Sequence, residues 1–303
     1  ASDVKNALSR TDTERECCQT AELAALLRMG ASMVTDGELG LGLRFEAASA
    51  AVARRVIRLL RTMDAAIETS VAMERTPQLR RRTYIVNIAA GEAVTPLLTR
   101  LGFLEAGTLR AGTDMELIRK KCCRAAYLRG AFLGGGSVNR PEASCHLEIT
   151  AKSATMGRAL HTLLRRLHFP VGLTDRRDTY VVYLKEGDAV MDFLALIGAE
   201  EAAEEIEVAR NLKEVRAQVN RLVNVETANL QRAVDAAAGQ LAAIERLAAA
   251  GRLVSLSEDL RETAEMRRAH PEITMAELAA LCHISKSGMS HRLRKICTLA
   301  EEV

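Results

Sequence analysis

The side chains with the most obvious capacity for chemistry in this 303-residue chain are its seven cysteines. Four of them form two adjacent pairs, Cys17-Cys18 and Cys122-Cys123, and no C-x-x-C spacing occurs. Adjacent cysteines are poorly placed to form a disulfide with each other, and neither pair has the spacing of a common zinc motif. The odd total and this spacing predict reduced thiols in a cytoplasmic protein, with no bound metal and no cofactor.

A second group of candidate residues, polar and basic, lies near the C-terminal end of the chain. The segment from Thr274 to Ile296 has the layout of a helix-turn-helix. Thr274 and Glu277 have the spacing of a capping box, and Ser285 is placed to cap a second helix. We expect these residues of the second helix to bind DNA: Lys286, Ser287, Ser290, His291, Arg292, Arg294 and Lys295.

The positions along this second helix predict two kinds of DNA contact. The outward residues near the helix start, Ser287, Ser290 and His291, are placed to meet base edges. The later group, Arg292, Arg294 and Lys295, is expected to meet phosphates, and the role of Lys286 stays open. The alternative interpretation is an ordinary basic amphipathic helix at the end of the chain.

The inner faces of the two helices are predicted from their apolar spacing. The first helix would bury Leu278, Ala279 and Leu281, and the second would bury Ile284, Met289, Leu293 and Ile296. Between them, His283 occupies the place where such turns usually hold a glycine in the left-handed conformation. Histidine tolerates positive φ better than most residues, so we expect a mildly strained turn.

The elements further upstream are organised by an internal duplication. The seventeen residues Glu16–Ser32 and Lys121–Ser137 match without a gap at an offset of 105 residues, from Glu16 to Lys121. The cysteine pairs coincide in this match, as do Gly30 and Gly135. Such a match predicts a duplicated structural unit.

The same order of elements follows each copy. In the first half, we predict strands at 43–48 and 82–89 and helices at 50–62 and 93–101. In the second half, we predict strands at 146–151 and 178–185 and helices at 155–167 and 189–197. Each half thus runs helix, strand, helix, strand, helix, with one more strand of which Pro170–Leu173 is a candidate. Two such halves predict one α+β domain with pseudo-twofold symmetry.

The second copy, from Leu128 to Gly136, resembles the signature helix of the LAGLIDADG homing endonucleases. In that family the two signature helices pack face to face, and here Gly130 and Gly134 would permit a close approach. Family members carry a metal-binding acid at the helix base. The matching positions in this chain are Gly30 and Gly135, which offer no ligand oxygen. The resemblance therefore implies the fold without catalytic residues. The rival interpretation is a nuclease, for which Asp36 and Glu38 occur in the first half only, because residue 141 is proline.

Composition limits the remaining possibilities. Aromatic residues make up only 3% of the chain, and the net charge is +3, so nucleic-acid binding must be sought in local patches. No apolar run approaches about 18 residues, so we expect that the protein is not exported and has no membrane partner. Beyond Ala199 the chain becomes acidic and then alanine-rich and helical. We expect the duplicated domain at 1–200 (halves about 13–104 and 118–198), a helical linker at 201–219 and an all-α helix-turn-helix domain at 220–303.

The chain as a whole resembles the WhiA family of bacterial regulators. The segments that carry this resemblance are Asn220–Asn229, with Ala236, Ala237 and Gln240 after it, and Ser285–Ile296. The resemblance implies a non-enzymatic DNA-binding transcriptional regulator tied to cell division, chromosome segregation or sporulation, located at the nucleoid in the cytoplasm. Its implied partners are double-stranded DNA and, in addition, another transcription factor or RNA polymerase.

Basic residues next to two predicted strands leave the role of the duplicated domain open. Arg80, Arg81 and Arg82 precede one strand, and Arg176 and Arg177 precede its counterpart in the repeat. Equivalent basic clusters would suit DNA lying across the sheets, as it does in the endonucleases. The alternative is a domain that binds protein or a small ligand, while only the C-terminal unit binds DNA.

Overall fold

The computed structural model describes residues 2–12, 15–36, 40–64, 66–76, 81–139 and 145–303, with only the backbone described at Asp36, Thr76 and Arg81. Glu38 and the proline at 141, which bear on the nuclease alternative, and Arg80 of the predicted basic cluster lie outside these ranges. The chain divides into two compact units, Ala1–Lys213 and Glu214–Val303.

The first half of the first unit begins with a short helix that precedes the repeat. Its elements are α1 (Ser2–Leu8), α2 (Glu16–Gly30), β1 (Ala31–Asp36), β2 (Gly40–Ala47), α3 (Ala50–Met63), β3 (Thr69–Thr76), β4 (Arg81–Ile88), α4 (Val94–Arg100), β5 (Leu104–Glu105) and β6 (Thr108–Leu109). Strands β1 to β4 form an antiparallel sheet in the order β1-β2-β4-β3. The two short strands β5 and β6 pair with each other.

The second half repeats this arrangement. Its elements are α5 (Lys121–Gly135), β7 (Gly136–Val138), β8 (Leu147–Ala151), α6 (Ala154–Arg166), β9 (Gly172–Arg176), β10 (Thr179–Leu184) and α7 (Gly187–Leu196). The sheet order, β7-β8-β10-β9, is that of the first half. The predicted duplicated α+β domain is therefore confirmed.

The predicted order of elements within each half was incomplete, because each half has four strands in its sheet. Strands β1 and β7 follow the signature helices directly, and their short segments of mixed polarity show no alternation. Strand β3 is an edge strand, and its apolar residues Val71 and Met73 are more than half exposed, so it lacks the pattern of a buried face. The candidate strand at 170–173 forms two to three residues later, at Gly172–Arg176.

The signature helices α2 and α5 pack closely at the centre of the first unit. A Cβ atom added to Gly130 would lie 2.3 Å from the backbone oxygen of Glu22, and one added to Gly134 would lie 2.6 Å from the Cβ of Met29. The two glycines therefore let the helix backbones approach, as predicted from their spacing. The core extends from this crossing to the inner faces of both sheets, with Phe45, Phe132 and Phe193 fully buried.

A buried ion-pair network also joins the two halves at this crossing. The fully buried carboxylate of Glu22 accepts hydrogen bonds from Arg55 Nε at 2.7 Å and from Arg129 Nε at 2.9 Å. Arg55 belongs to the first half and Arg129 to the second. Burial of a charge is costly unless it is paired, so removal of either arginine would leave the carboxylate poorly compensated.

The second unit contains most of a long α-helix and three shorter α-helices. Helix α8 runs without a break from Glu200 to Ala249, and the boundary between the two units lies within it. It is followed by α9 (Glu258–Ala269), α10 (Met275–Leu281) and α11 (Lys286–Glu301). Two small apolar clusters stabilise this unit, one including Ile244, Leu260 and Ile296 and the other including Leu278 and Leu293. Among the described residues, no helix is both long enough and apolar enough to cross a membrane.

Candidate nucleic-acid interface

The start of α10 is held by the capping box that the sequence predicts. The hydroxyl of Thr274 accepts from the backbone N–H of Glu277 at 3.3 Å, and the Glu277 carboxylate accepts from the backbone N–H of Thr274 at 2.7 Å. This backbone hydrogen bond stabilises the ionised carboxylate and lowers the pKa of Glu277. Helix α10 therefore begins at a defined residue, which positions the turn that follows it.

The turn between α10 and α11 has the predicted strained histidine. His283 has a φ of +52°, and its backbone N–H donates to the oxygen of Ala280 at 3.1 Å. The N–H of Ile284 reaches back to Ala279 at 3.0 Å, and Ser285 Oγ then accepts from the N–H of Gly288 at 3.1 Å. One helix is thus closed and the next is capped within a few residues.

The packing between these helices agrees with the sequence pattern except at one position. Ala279, Met289 and Leu293 are buried as predicted. Leu281 was expected on the inner face of α10, but its side chain is 47% exposed. Because α10 ends at this residue, the chain turns away before Leu281 can reach the core.

The outward face of α11 carries most of the residues predicted to bind DNA. Five of them are exposed, and Ser290 is half-buried; the exposed ones are Lys286, Ser287, His291, Arg294 and Lys295. Apart from a contact between the hydroxyls of Ser285 and Ser287 at 3.0 Å, the structure records no side-chain hydrogen bond or ion pair for these five among the described residues. Their donors can therefore reach a ligand without breaking an internal pair.

Arg292 is the exception among the predicted DNA-binding residues. Its side chain is only 20% exposed, and its guanidinium lies 3.1 Å from the carboxylate of Asp259 and 3.7 Å from that of Glu262 on α9. It also donates to the backbone oxygen of Asp259 at 3.4 Å. Arg292 therefore joins α11 to α9 through ion pairs. Its predicted role was a contact with a DNA phosphate.

Two residues of the predicted basic clusters, Arg82 and Arg176, lie on different faces of their sheets. Arg82 lies on β4 on the same side as Val86, which packs into the core, while Arg176 lies opposite Thr179 on the face of its sheet that points away from α6. Arg177 lies in the turn between β9 and β10, with a φ of +46°. The side chain of Arg81 is not described. Arg82 and Arg176 therefore cannot both face a DNA duplex lying across the outer faces of the sheets.

The outer faces of the two sheets also carry paired charges. Arg44 on β2 lies 3.2 Å from the carboxylate of Glu74 and 3.6 Å from that of Glu46. On the second sheet, His146 Nε2 lies 2.7 Å from the carboxylate of Glu148. The carboxylates of Glu46 and Glu74 therefore offset the charge of Arg44 on the first sheet, whereas no ion pair is recorded for Arg176 among the described residues.

The bases of the signature helices have no room for metal-binding acids. A Cβ atom at Gly30 would lie 2.7 Å from the ring of Phe45, and one at Gly135 would lie 2.3 Å from the backbone oxygen of Thr150. A longer side chain at either position would force the sheet and the helix apart. Gly30 and Gly135 therefore allow each helix to pack closely against the neighbouring strand.

A group of thiols that the sequence analysis treated as separate pairs comes together at the other end of these helices. The sulfur atoms of Cys17, Cys18, Cys122 and Cys123 all lie within 4.8 Å of one another. Each pair alone has poor spacing for a metal, but the folded chain brings the two pairs together. The repeat could have predicted this cluster. When the two copies of a repeated helix pack against each other, equivalent positions on the contacting faces lie close together.

The thiols of this cluster differ in their acidity. Hydrogen bonding from Cys18, with a further contribution from Arg15, lowers the pKa of Cys122 to about 7. Burial raises the pKa of Cys123 to about 11 and also raises that of Cys18. Cys17 and Cys122 are half-buried, and their partners in each pair are buried.

The fold and these sites define a class of protein: a duplicated domain of the LAGLIDADG type without the acidic positions, followed by a helix-turn-helix. Three family models match the chain in this order. They are the WhiA N-terminal LAGLIDADG-like domain at residues 16–104, the WhiA LAGLIDADG-like domain at 124–216 and the WhiA C-terminal HTH domain at 219–300. The chain belongs to the WhiA family.

Relatives and solved structures agree with this assignment. The chain is 39% identical to the probable cell division protein WhiA of Heliobacterium modesticaldum, over 99% of this chain and 95% of the relative. It is 42% identical to the protein of the same name in Desulforamulus reducens, over 99% of this chain and 94% of the relative. The crystal structure of full-length DUF199/WhiA from Thermotoga maritima shares the fold, with a TM-score of 0.62 and 24% identity over 99% of this chain and 97% of the other.

Proposed function

We propose that this protein is a non-enzymatic, sequence-specific DNA-binding transcriptional regulator linked to cell division, and through it to chromosome segregation or sporulation. The observation that carries the proposal is the outward face of α11, where exposed polar and basic side chains follow a capped helix start. The printed names of the relatives, probable cell division proteins, support the cellular role. The proposal includes a cytoplasmic location at the nucleoid.

The physical basis of DNA binding is the charge and the exposure of α11. No acidic residue occurs between Ile284 and Cys297, and Arg294 and Lys295 are exposed. When exposed cations of this kind bind DNA, they release counterions from its backbone, and this release favours binding. The start of a helix that follows a tight turn is the part that enters the major groove in helix-turn-helix proteins.

The test is to crosslink the full chain to DNA in cells and sequence the DNA that is recovered. We expect a limited set of enriched sites with a shared sequence, and a lower total yield of crosslinked DNA for Arg294→Ala, because loss of a phosphate contact weakens binding to all DNA. The control is Arg58→Ala, because Arg58 is an exposed arginine on α3 of the first unit. DNA recovered without any preferred site, or equal losses for both variants, would contradict the proposal.

The rival proposal, a DNA nuclease, is disfavoured by Gly30 and Gly135, where a side chain would collide with Phe45 or with the backbone of Thr150. Mg²⁺ and Mn²⁺ need carboxylate oxygens that these positions do not supply. Supercoiled plasmid incubated with the protein and either ion should stay supercoiled. Stoichiometric nicking that is lost on addition of a chelator would support the nuclease instead.

A second candidate function concerns the duplicated domain alone, as a module that binds protein or a small ligand. The paired charges of Arg44, Glu46 and Glu74 on the outer sheet face favour this role over DNA binding. Another transcription factor or RNA polymerase is the partner that this role would require. Its test is whether the fragment 1–213 retards DNA at low salt; clear retardation would favour a DNA-binding sheet.

A further inference from the structure

We propose that Cys17, Cys18, Cys122 and Cys123 form a tetrathiolate site for one Zn²⁺ ion, which joins the two halves of the duplicated domain. Each half contributes two ligands from equivalent positions of the repeat. The site is at the start of helices α2 and α5, whereas the metal-binding positions of the endonucleases correspond to the helix ends. The inference is independent of DNA binding by the second unit.

The distances among the sulfur atoms suit a single tetrahedral ion. Zinc–sulfur bonds of about 2.3 Å in a tetrahedron place the sulfurs about 3.8 Å apart. In this structure Cys122 Sγ and Cys123 Sγ are 4.0 Å apart, and all four sulfurs lie within 4.8 Å of one another. A contraction of less than about 1 Å, within the reach of side-chain rotation, completes the shell.

The set of donor atoms selects the metal. Four thiol sulfurs favour zinc over magnesium, calcium or manganese, which prefer oxygen ligands. Four protein ligands leave no open position for water or substrate, which is the property of a structural zinc site. A structural ion at this crossing would act together with the Glu22–Arg129 pair, which also joins the two halves.

The surroundings of the sulfurs can compensate the negative charge of such a centre. Four thiolates around one dication leave a net double negative charge. Both cysteine pairs lie in the first turn of a fifteen-residue helix, where the helix dipole favours negative charge. Arg15 lies next to Cys122 and its charge favours the thiolate, and Lys120 and Lys121 directly precede the second pair.

An open cleft beside the cluster gives an ion or a chelator access to it. Its lining includes Cys17 and Cys123 together with Glu16, Thr20 and Lys120. Ions can therefore exchange without global unfolding of the domain. This makes metal removal a practical experiment on the intact chain.

The experiment measures zinc in the full-length protein after purification under reducing conditions and gel filtration. We expect one zinc per chain, and loss of it in the double variant Cys17→Ser/Cys122→Ser. The matched control is Cys145→Ser/Cys297→Ser, which changes two other half-buried cysteines and should keep one zinc per chain. Zinc retained by both double variants, or absent from the wild-type protein even after incubation with Zn²⁺, would overturn the site.

Two measurements on the wild-type chain keep the test decisive even if the cysteine variants fail to fold. Replacement of zinc by Co²⁺ should give the visible absorption of a tetrahedral thiolate complex, and chelation should lower the Tm of the duplicated domain by at least about 5 °C, reversibly on addition of Zn²⁺. A Tm unchanged by chelation would overturn the joining role. Recovery of the four thiols as two disulfides between the helices would replace the metal site with a redox one.

Discussion

At the scale of single residues, the side chains of α11 predicted to bind DNA divide into two groups with different expected effects. Ser290 and His291 lie near the start of the helix, and Arg294 and Lys295 lie further along it. Loss of a base contact should cost about 1–3 kcal/mol and relax preference at one position. We therefore expect Ser290→Ala and His291→Ala to reduce discrimination between target and scrambled DNA.

Loss of a phosphate contact has a different signature. Arg294→Ala or Lys295→Ala should weaken binding to both DNAs alike and reduce the slope of affinity against salt by about one unit. The measurement is a binding titration of each variant on both DNAs over a salt series. If Arg294→Ala alone removed discrimination, while Ser290→Ala and His291→Ala had no effect, the helix would be docked in another rotation.

Arg292 should behave as a structural residue. Its contacts with Asp259 and Glu262 join α11 to α9, and the side chain is mostly buried. We expect Arg292→Ala to lower the free energy of unfolding of the second unit by about 1 kcal/mol while leaving the salt slope of DNA binding unchanged. Denaturant unfolding and the salt series measure the two effects separately. If Arg292→Ala reduced the salt slope of DNA binding and left the free energy of unfolding unchanged, Arg292 would be a phosphate contact as the sequence predicts.

At the scale of elements, the crossing of α2 and α5 depends on backbone approach. A methyl group at residue 130 would lie 2.3 Å from the backbone oxygen of Glu22 and 3.0 Å from the Cβ of Ala25. Since neither neighbour is a flexible side-chain end, the helices must separate. We expect Gly130→Ala to lower the free energy of unfolding of the first unit by about 1–3 kcal/mol, measured by denaturant titration.

The matched control for this change is a glycine in a helix with open space around it. Nothing lies within 4 Å of a Cβ atom added to Gly239 on α8. Gly239→Ala should therefore raise helix stability by about 0.5–1 kcal/mol, because alanine loses less conformational entropy on folding. If both substitutions raised the free energy of unfolding, helix propensity, and not the close helix crossing, would govern the effect of Gly130→Ala.

At the scale of the whole molecule, the boundary between the two compact units lies within α8, between Lys213 and Glu214. The second unit has its own apolar clusters and a capped helix-turn-helix. We expect the fragment 214–303 to fold cooperatively and to keep most of the sequence-specific affinity of the full chain. Thermal unfolding followed by circular dichroism and a gel-shift titration check both points.

The complementary fragment provides the control. Residues 1–213 contain the complete duplicated domain and should not retard the same target with comparable selectivity. Selective binding by this fragment would assign sequence readout to the sheets. A fragment 214–303 that unfolds without cooperativity would show that the helix-turn-helix depends on the rest of the chain.

Local patterns predicted well those elements whose side chains are sorted between a buried and an exposed face. Helix α3, predicted at 50–62, is observed at Ala50–Met63, and the capping box of Thr274 forms as expected. Strands β1 and β7 were missed, because they pass directly from a helix into an edge position and show no alternation of apolar and polar residues. Leu281 was misplaced for a related reason: periodicity cannot tell where a short helix ends.

Local patterns and comparison of the chain with itself were enough to predict the duplication, the fold class of the repeat, the absence of acids at Gly30 and Gly135 and the exposed face of α11. Each of these depends on local chemistry or on comparison of the chain with itself. The tertiary structure alone decided that Arg292 pairs with α9, that Arg82 and Arg176 lie on different sides of their sheets, and that four distant thiols meet. Ion pairs and metal ligands depend on distances of a few ångströms between residues far apart in the chain, and only the packing of α2 against α5 and of α11 against α9 sets those distances.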